Sequence, residues 1–283
     1  MTAHPNIKTF SRDNMHSPRI SASSYSNTAP LVWSFLYGKN RGKVEIILDT
    51  APARSAELLA QERVDAALVP VIAYQMIAGV RLMPDVCVGA RERVRSVCLI
   101  TKGQDLADVR SVALDTSSRT SVVLTKIIFQ EFLGFEPEWK DARPDIETML
   151  ADSDAALLIG DPALVLFNAP ALAAPHAALR VFDLAEVWRK YTGLGFVFAM
   201  WMTRKESCEI DFAAARDEGL AHLDEIIANY QSDIHLSRDE LQKYLSQNIS
   251  YSIDDSMRRG MELYFELAAK NELITDNKPL LFA

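Results

Sequence analysis

The chain has 283 residues, of which 49% are apolar and 24% are charged, and its formal net charge is −8. This composition is typical of a globular protein with one large domain or two lobes. The negative balance argues against broad nucleic-acid binding, but a small anionic ligand needs only local donors. No run of residues is long and apolar enough to predict a membrane span.

The N-terminal segment and the cysteines bear on the compartment. Residues 1–18 are polar and contain no apolar signal-peptide core, so we expect a disordered extension without an export signal. The three cysteines are odd in number and lack metal-site spacing, and Cys87 and Cys98 lie in apolar stretches typical of buried, reduced thiols. These features favour the cytoplasm.

Short apolar runs rich in β-branched residues alternate with longer amphipathic stretches, which predicts an α/β fold. The predicted strands are Arg19–Ala22, Lys43–Leu48, Ala66–Val69, Val94–Thr101, Ser111–Leu114, Ala155–Ile159 and Gly195–Met202. The predicted helices are Ala53–Arg63, Thr120–Leu133 and Ile146–Ala151. Three further helical segments are predicted between residues 205 and 271, one of them opened by a capping box at Ser237–Glu240.

Two crossings, at Cys87–Ser96 and Gly193–Met202, bracket a middle segment of about one hundred residues, which is the size of a small domain. This arrangement predicts two lobes joined by a two-strand hinge. Lobe I comprises residues 19–97 and 196–283, and lobe II comprises residues 98–195. A ligand cleft is expected between the lobes, at the C-terminal ends of their strands.

The segment Ser24–Leu31 is the first candidate site. It follows a strand and opens a helix, so its backbone N–H groups and short polar side chains are suited to a carboxylate or a hydroxyl. Asn27 adds a neutral donor and acceptor on a short arm. The alternative is a purely structural strand–helix connection with Pro30 near the first helical position.

The segment Asp115–Ser121 is the second candidate. Hydroxyls and N–H groups at a helix start, with the Arg119 guanidinium beside them, predict a receptor for a carboxylate or phosphate. The alternative is a Ser/Thr-rich helix cap whose arginine is solvated.

Two further segments contain candidate residues. Gly160 ends an apolar strand, where it would allow a ligand to approach the backbone, although Asp161 is more typical of a helix cap. Ser96 lies in an apolar strand at the first crossing. The three arginines around it could supply charge to an anion, but solvated arginines are commoner there: Arg91, Arg93 and Arg95.

The five histidines lie outside every candidate site: His4, His16, His176, His222 and His235. The sequence also contains no Gly-rich phosphate loop, no Ser-His-Asp arrangement and no Cys/His cluster for a metal. We therefore expect any catalysis to proceed without an obvious histidine base or a bound metal ion.

Five segments, in order and with preserved spacing, resemble the MqnA family, the chorismate dehydratases of the futalosine route to menaquinone. They are Ser26–Leu31, Val64–Val71, Val94–Val97, Ser117–Ser121 and Leu158–Leu164. The resemblance extends from about Arg19 to the C-terminal helices. It implies a type II periplasmic-binding-protein fold used as an enzyme, a carbon–oxygen lyase that removes water from chorismate without metal or cofactor.

The resemblance also implies roles for individual residues. Asn27 and Ser96 match the positions expected at the reacting centre. The other expected contacts with the anionic substrate are Ser26, Thr28, Ser117, Ser118, Arg119, Thr120, Ser121, Gly160 and Asp161. We hypothesise that the enolpyruvyl carboxylate of chorismate is the base, which fits the absence of a histidine at these positions.

Two alternatives stay open. One is a non-catalytic binding module on the same fold, because fold alone does not determine function. The other is an enzyme like 1,4-dihydroxy-6-naphthoate synthase, a family expected to use a histidine in its second lobe. The only histidine there is His176, in an Ala/Pro-rich loop, which disfavours this alternative. The sequence makes no prediction of oligomeric state.

Overall fold

Two five-stranded sheets form the framework of this computed structural model, which describes residues 17–49, 51–168, 179–234 and 236–283. The strands are β1 Arg19–Ser23, β2 Glu45–Asp49, β3 Ala66–Pro70, β4 Arg81–Ala90, β5 Val97–Thr101, β6 Ser111–Asp115, β7 Glu138–Ala142, β8 Ala155–Ile159, β9 Arg180–Asp183 and β10 Phe196–Thr203. The predicted extension lies almost wholly outside the described residues.

Helices cover both sheets. They are α1 Ala29–Leu36, α2 Pro52–Ala60, α3 Ala73–Met76, α4 Arg119–Ile127, α5 Ile146–Asp152, α6 Gly160–Asn168, α7 Leu184–Thr192, α8 Phe212–Ala221, α9 Leu223–Ile234, α10 Arg238–Lys243 and α11 Asp255–Lys270. Short 3₁₀ turns occur at Ser26–Thr28 and Leu106–Asp108, and π-helical segments at Ile128–Leu133 and Tyr244–Asn248. No helix in the described part of the chain is long and apolar enough to cross a bilayer.

The two sheets have the same strand pattern. In the first, the order is β2-β1-β3-β10-β4, with β10 antiparallel to both of its neighbours. In the second, the order is β7-β6-β8-β5-β9, with β5 in the equivalent antiparallel position. The predicted two-lobed α/β architecture with two crossings is therefore confirmed. The lobe boundaries stay a prediction, although β5 places Val97 in the second sheet rather than the first.

The strand predicted at Val94–Thr101 starts only at Val97. The carboxylate of Asp183 accepts hydrogen bonds from the backbone N–H groups of Val94 (3.0 Å) and Arg95 (2.7 Å), and Arg95 has a φ of 64°. Because the N–H groups of Val94 and Arg95 are already paired with Asp183 and the backbone turns at Arg95, neither residue can join the hydrogen bonds of the β-sheet. Ser96 therefore lies in the connection that enters the second lobe, not within a strand.

The C-terminal region contains four helices and a π-helical segment rather than three helices. The capping box at Ser237 and Glu240 is confirmed. In this region α8 packs against α1, and α11 packs against both β10 and α4. The C-terminal helices thus complete the first lobe and also contact the second.

Candidate active site

A cavity lies between the lobes, at the C-terminal ends of β1, β3 and β8. The space inside it that a water-sized sphere can reach is about 50 Å³. The apolar part of the wall includes Leu68, Val88, Val97, Ile159 and Phe198, and the polar part comprises Ser23, Tyr25, Asn27, Thr28, Ser118 and Ser121. No lysine, arginine or histidine of the described chain lines the cavity. A ligand here would meet hydroxyl, amide and backbone dipoles instead of full positive charges.

The 3₁₀ turn Ser26–Thr28 contains one residue that stabilises the turn and one that lines the cavity. The Thr28 hydroxyl donates to the carbonyl oxygens of Ser23 (2.7 Å) and Tyr25 (2.8 Å), so its hydrogen is used to close the turn. Asn27 is half-buried and lines the cavity. Thr28 therefore stabilises the strand–helix connection, and Asn27 faces the cleft, where its contact with a ligand stays a prediction.

Ser26 and Asp161, both predicted to bind substrate, instead bind each other across the lobes. The Asp161 carboxylate accepts the Ser26 backbone N–H (3.1 and 3.2 Å) and the Ser26 hydroxyl (2.5 Å). Burial raises the pKa of Asp161, and the hydrogen bonds from Ser26 lower it, with a net upward shift. This contact holds the cleft walls together.

Replacing Asp161 by asparagine is expected to change how the free energy of unfolding depends on pH. A carboxyl whose pKa is raised in the folded state contributes stability below its ordinary pKa, and this contribution is lost as the pH rises through the raised value. Above about pH 4, the unfolding free energy of the wild-type protein should therefore decrease as the Asp161 carboxyl ionises. The Asp161→Asn variant should lack this part of the decrease. Urea denaturation at a series of pH values measures this.

Asp154→Asn is a control of opposite sign. Asp154 accepts backbone hydrogen bonds from Arg110 (2.9 Å) and Ser111 (3.1 Å), which lower the pKa of this carboxyl. The stability that the Asp154 carboxylate contributes is present above the ordinary carboxyl pKa and is lost on acidification. The Asp154→Asn variant should therefore lack part of the increase in unfolding free energy that occurs as the pH rises. An unchanged pH dependence in Asp161→Asn would contradict the role given to the buried carboxylate.

Gly160 brings the two lobes into close contact. Its φ is 63°, and a Cβ at this position would lie 2.8 Å from the Tyr25 ring. Its N–H donates to the Ser96 carbonyl oxygen (2.7 Å). Because no side chain intervenes, the Tyr25 ring packs directly on this backbone, and Gly160 forms part of the cavity wall.

The N-terminus of α4 supplies the polar groups of the second lobe. Ser118 caps the helix, accepting from the Ser121 N–H (3.3 Å) and donating to the Ser121 hydroxyl (2.9 Å), and both serines line the cavity. Ser117 donates its N–H (3.0 Å) and hydroxyl (2.6 Å) to Asp115. Burial raises the pKa of Asp115, and these hydrogen bonds oppose the shift. The segment is therefore a helix cap with two hydroxyls at the cavity.

Arg119 and Thr120, in the same segment, are not brought to the cavity wall. The Arg119 guanidinium lies 3.9 Å from the Glu57 carboxylate, and its side chain is 42% exposed. The Thr120 hydroxyl accepts a hydrogen bond from the Ile72 N–H (3.3 Å), and the Thr120 carbonyl oxygen accepts one from the Tyr264 hydroxyl (3.0 Å). Both residues connect the second lobe to the first.

Ser96 is completely buried, and it is not among the residues that line the cavity. Its hydroxyl makes only a 3.5 Å hydrogen bond to the Val94 carbonyl oxygen. Its role at the reacting centre stays a prediction. Two of the arginines around it are exposed, and there Arg91 pairs with Asp254 (2.7 Å) and Arg93 with Glu186 (3.3 Å).

Sequence reasoning included Tyr25 in the candidate segment Ser24–Leu31 without giving it a role, and it missed Ser23 as part of the cavity wall. Both lie at the end of β1 or just beyond it, and their position at a strand terminus is the signal that could have identified them. Among the described residues, no three His, Cys, Asp or Glu side chains are arranged to hold a metal. His222 stacks on Trp33 at 3.8 Å, outside the cavity, and His176 lies outside the described residues.

Residues 18–270 match a protein-family model described as menaquinone biosynthesis. The chain belongs to this family. It is 33% identical to a chorismate dehydratase from Thermus thermophilus over 257 residues, which cover 86% of this chain and 92% of that protein. The sequence-based assignment to the family is confirmed.

Two solved structures show the fold. The protein AF1704 from Archaeoglobus fulgidus superposes with a TM-score of 0.69 at 16% identity, covering 92% of this chain and 99% of that one. The periplasmic aliphatic sulphonate binding protein SsuA from Escherichia coli gives a TM-score of 0.62 at 16% identity, with 94% and 93% covered. The predicted periplasmic-binding-protein-like fold is confirmed.

Proposed function

We propose that this family member is a chorismate dehydratase, a hydro-lyase that converts chorismate to 3-[(1-carboxyvinyl)oxy]benzoate and water. The observation that carries the proposal is the 33% identity to a chorismate dehydratase over 86% of the chain. The cavity supports it, because both lobes contribute hydroxyl or amide groups to a largely apolar pocket.

The reaction needs few groups from the protein. The C3–H bond breaks, its electron pair enters the ring, and the C4–O bond breaks so that the hydroxyl departs with a proton as water. The product ring is aromatic, which makes the elimination strongly favourable. The protein must therefore orient the substrate and stabilise the charge that develops on the ring carboxylate.

The cavity offers neutral groups for these tasks. Ser118 and Ser121, at the N-terminus of the nine-residue helix α4, present hydroxyls and a positive helix-dipole end suited to the ring carboxylate. Asn27, on the opposite lobe, would bind the departing hydroxyl or the enolpyruvyl carboxylate. In this proposal the enolpyruvyl carboxylate takes the C3 proton, so that no histidine is required.

Purified protein incubated with chorismate is expected to form an aromatic product that has lost one water and keeps the enolpyruvyl group. Ultraviolet absorbance follows the aromatisation, and mass spectrometry distinguishes this product from hydroxybenzoates that have lost the enolpyruvyl group. A reaction without protein is the control for spontaneous decomposition. Saturable chorismate binding without turnover would refute the dehydratase and favour a binding module.

A further inference from the structure

Tyr244 is a fully buried residue whose hydroxyl has no hydrogen-bond partner of normal geometry. It is the first residue of the π-helical segment Tyr244–Asn248, which follows α10. An unpaired buried hydroxyl is costly, so such a group in a native protein calls for an explanation. Sequence reasoning did not single out this tyrosine.

The surroundings of the Tyr244 hydroxyl connect it to the proposed reacting centre. The side chains of Ser96 and Asn27 interact with it, and the charge of Asp161 also acts on it. Burial raises the pKa of Tyr244 far above its ordinary value, and the interactions with Ser96 and Asn27 oppose this only partly. The phenol is therefore protonated near neutral pH and can donate a hydrogen bond.

Both facing side chains need an orienting partner. Ser96 is held only by its 3.5 Å contact with Val94, although its hydroxyl is completely buried. Asn27 is half-buried at the cavity wall, where its amide has two possible orientations with opposite donor and acceptor positions. A phenol between them can donate a hydrogen bond to one side chain and accept a hydrogen bond from the other. These contacts determine the orientation of the Asn27 amide and therefore which of its atoms faces the substrate.

We propose that Tyr244 is a positioning residue for the elimination, and that its hydroxyl, together with the buried Ser96, orients Asn27 toward the departing hydroxyl of the substrate. This inference rests on the proposed function. Neither Tyr244 nor Ser96 is part of the cavity wall, so Tyr244 acts through Asn27 and does not touch the substrate.

The Tyr244→Phe variant is expected to lower kcat by about 10- to 100-fold, as expected for a lost hydrogen bond in a buried network, with a smaller change in KM. Tyr251→Phe is the matched control. Tyr251 is also buried with an unpartnered hydroxyl, but neither Asn27 nor Ser96 is among the groups that act on it. The control should therefore keep its kcat, and circular dichroism verifies that both variants fold.

A double variant separates positioning from a general structural effect. If Tyr244 acts through Asn27, then Tyr244→Phe combined with Asn27→Ala should be no slower than Asn27→Ala alone. Additive losses, an unchanged kcat in Tyr244→Phe, or an equal loss in Tyr251→Phe would each overturn the inference while the proposed function stands. If the wild-type protein does not convert chorismate, the proposed function fails, and this inference fails with it.

Discussion

Replacing Asn27 by alanine is expected to lower kcat for chorismate by about 100- to 1,000-fold, the range measured when a positioned donor at a reacting centre is removed. Asn27 lines the cavity from the 3₁₀ turn Ser26–Thr28. That turn is held by Thr28 and by the contact between Ser26 and Asp161, so the backbone should keep its shape without the amide. The expected loss is therefore one of chemistry and not of folding.

Steady-state kinetics and thermal unfolding test this expectation together. Asn229→Ala is the matched control, because Asn229 is exposed on α9 and does not line the cavity. Both variants should unfold within a few degrees of the wild-type protein, as is usual for substitutions that remove little buried surface. Turnover by Asn27→Ala at the rate of Asn229→Ala would remove Asn27 from the reacting centre, while the family assignment would stand.

Gly160→Ala is expected to lower the free energy of unfolding by about 2–5 kcal/mol. Two effects combine at this position. An alanine with a φ of 63° is strained by roughly 1–2 kcal/mol. Its Cβ would also lie 2.8 Å from the Tyr25 ring, and such overpacking typically costs about 1–3 kcal/mol. Because the ring must move away, the lobes should separate, and kcat should fall as well.

Gly134→Ala separates the two effects. Gly134 has a φ of 78°, but no atom lies within 4 Å of the position that its Cβ would occupy. This control should lower the free energy of unfolding only by the cost of backbone strain, about 1–2 kcal/mol in urea denaturation. In a Tyr25→Ala background, the excess cost of Gly160→Ala over Gly134→Ala should disappear. An equal cost for the two glycines in the wild-type background would show that the Tyr25 contact is unimportant.

Buried, apolar strands were the most predictable part of the fold. β8 was predicted with the observed limits, because Ala155–Ile159 is a continuous apolar run that is buried along its whole length. β4 was missed because Pro84 and Asp85, which has a φ of 61°, interrupt its pattern. β7 and β9 were missed because they are edge strands with many polar residues, and such strands lack a clear hydrophobic signal.

The candidate site was predictable as segments and not as contacts. Polar residues after strands were correctly expected to meet at one cleft, because the C-terminal ends of parallel strands share an edge. The individual partners depend on how the lobes meet. Ser26 and Asp161 are 135 positions apart, and nothing local indicates that they bind each other. Likewise, the pairing of Arg119 with Glu57 requires knowing that α2 approaches α4.

The uncharged lining of the cavity has a consequence for how the substrate arrives. The protein carries a formal charge of −8, and chorismate carries two carboxylates, so the long-range field opposes their encounter. Added salt screens this repulsion and should speed association. Once the substrate is seated, its partners are short-range dipoles that salt screens weakly. Raising the ionic strength should therefore mainly increase the association rate of chorismate. A binding site built from arginines would show the opposite effect, a lower association rate at higher ionic strength.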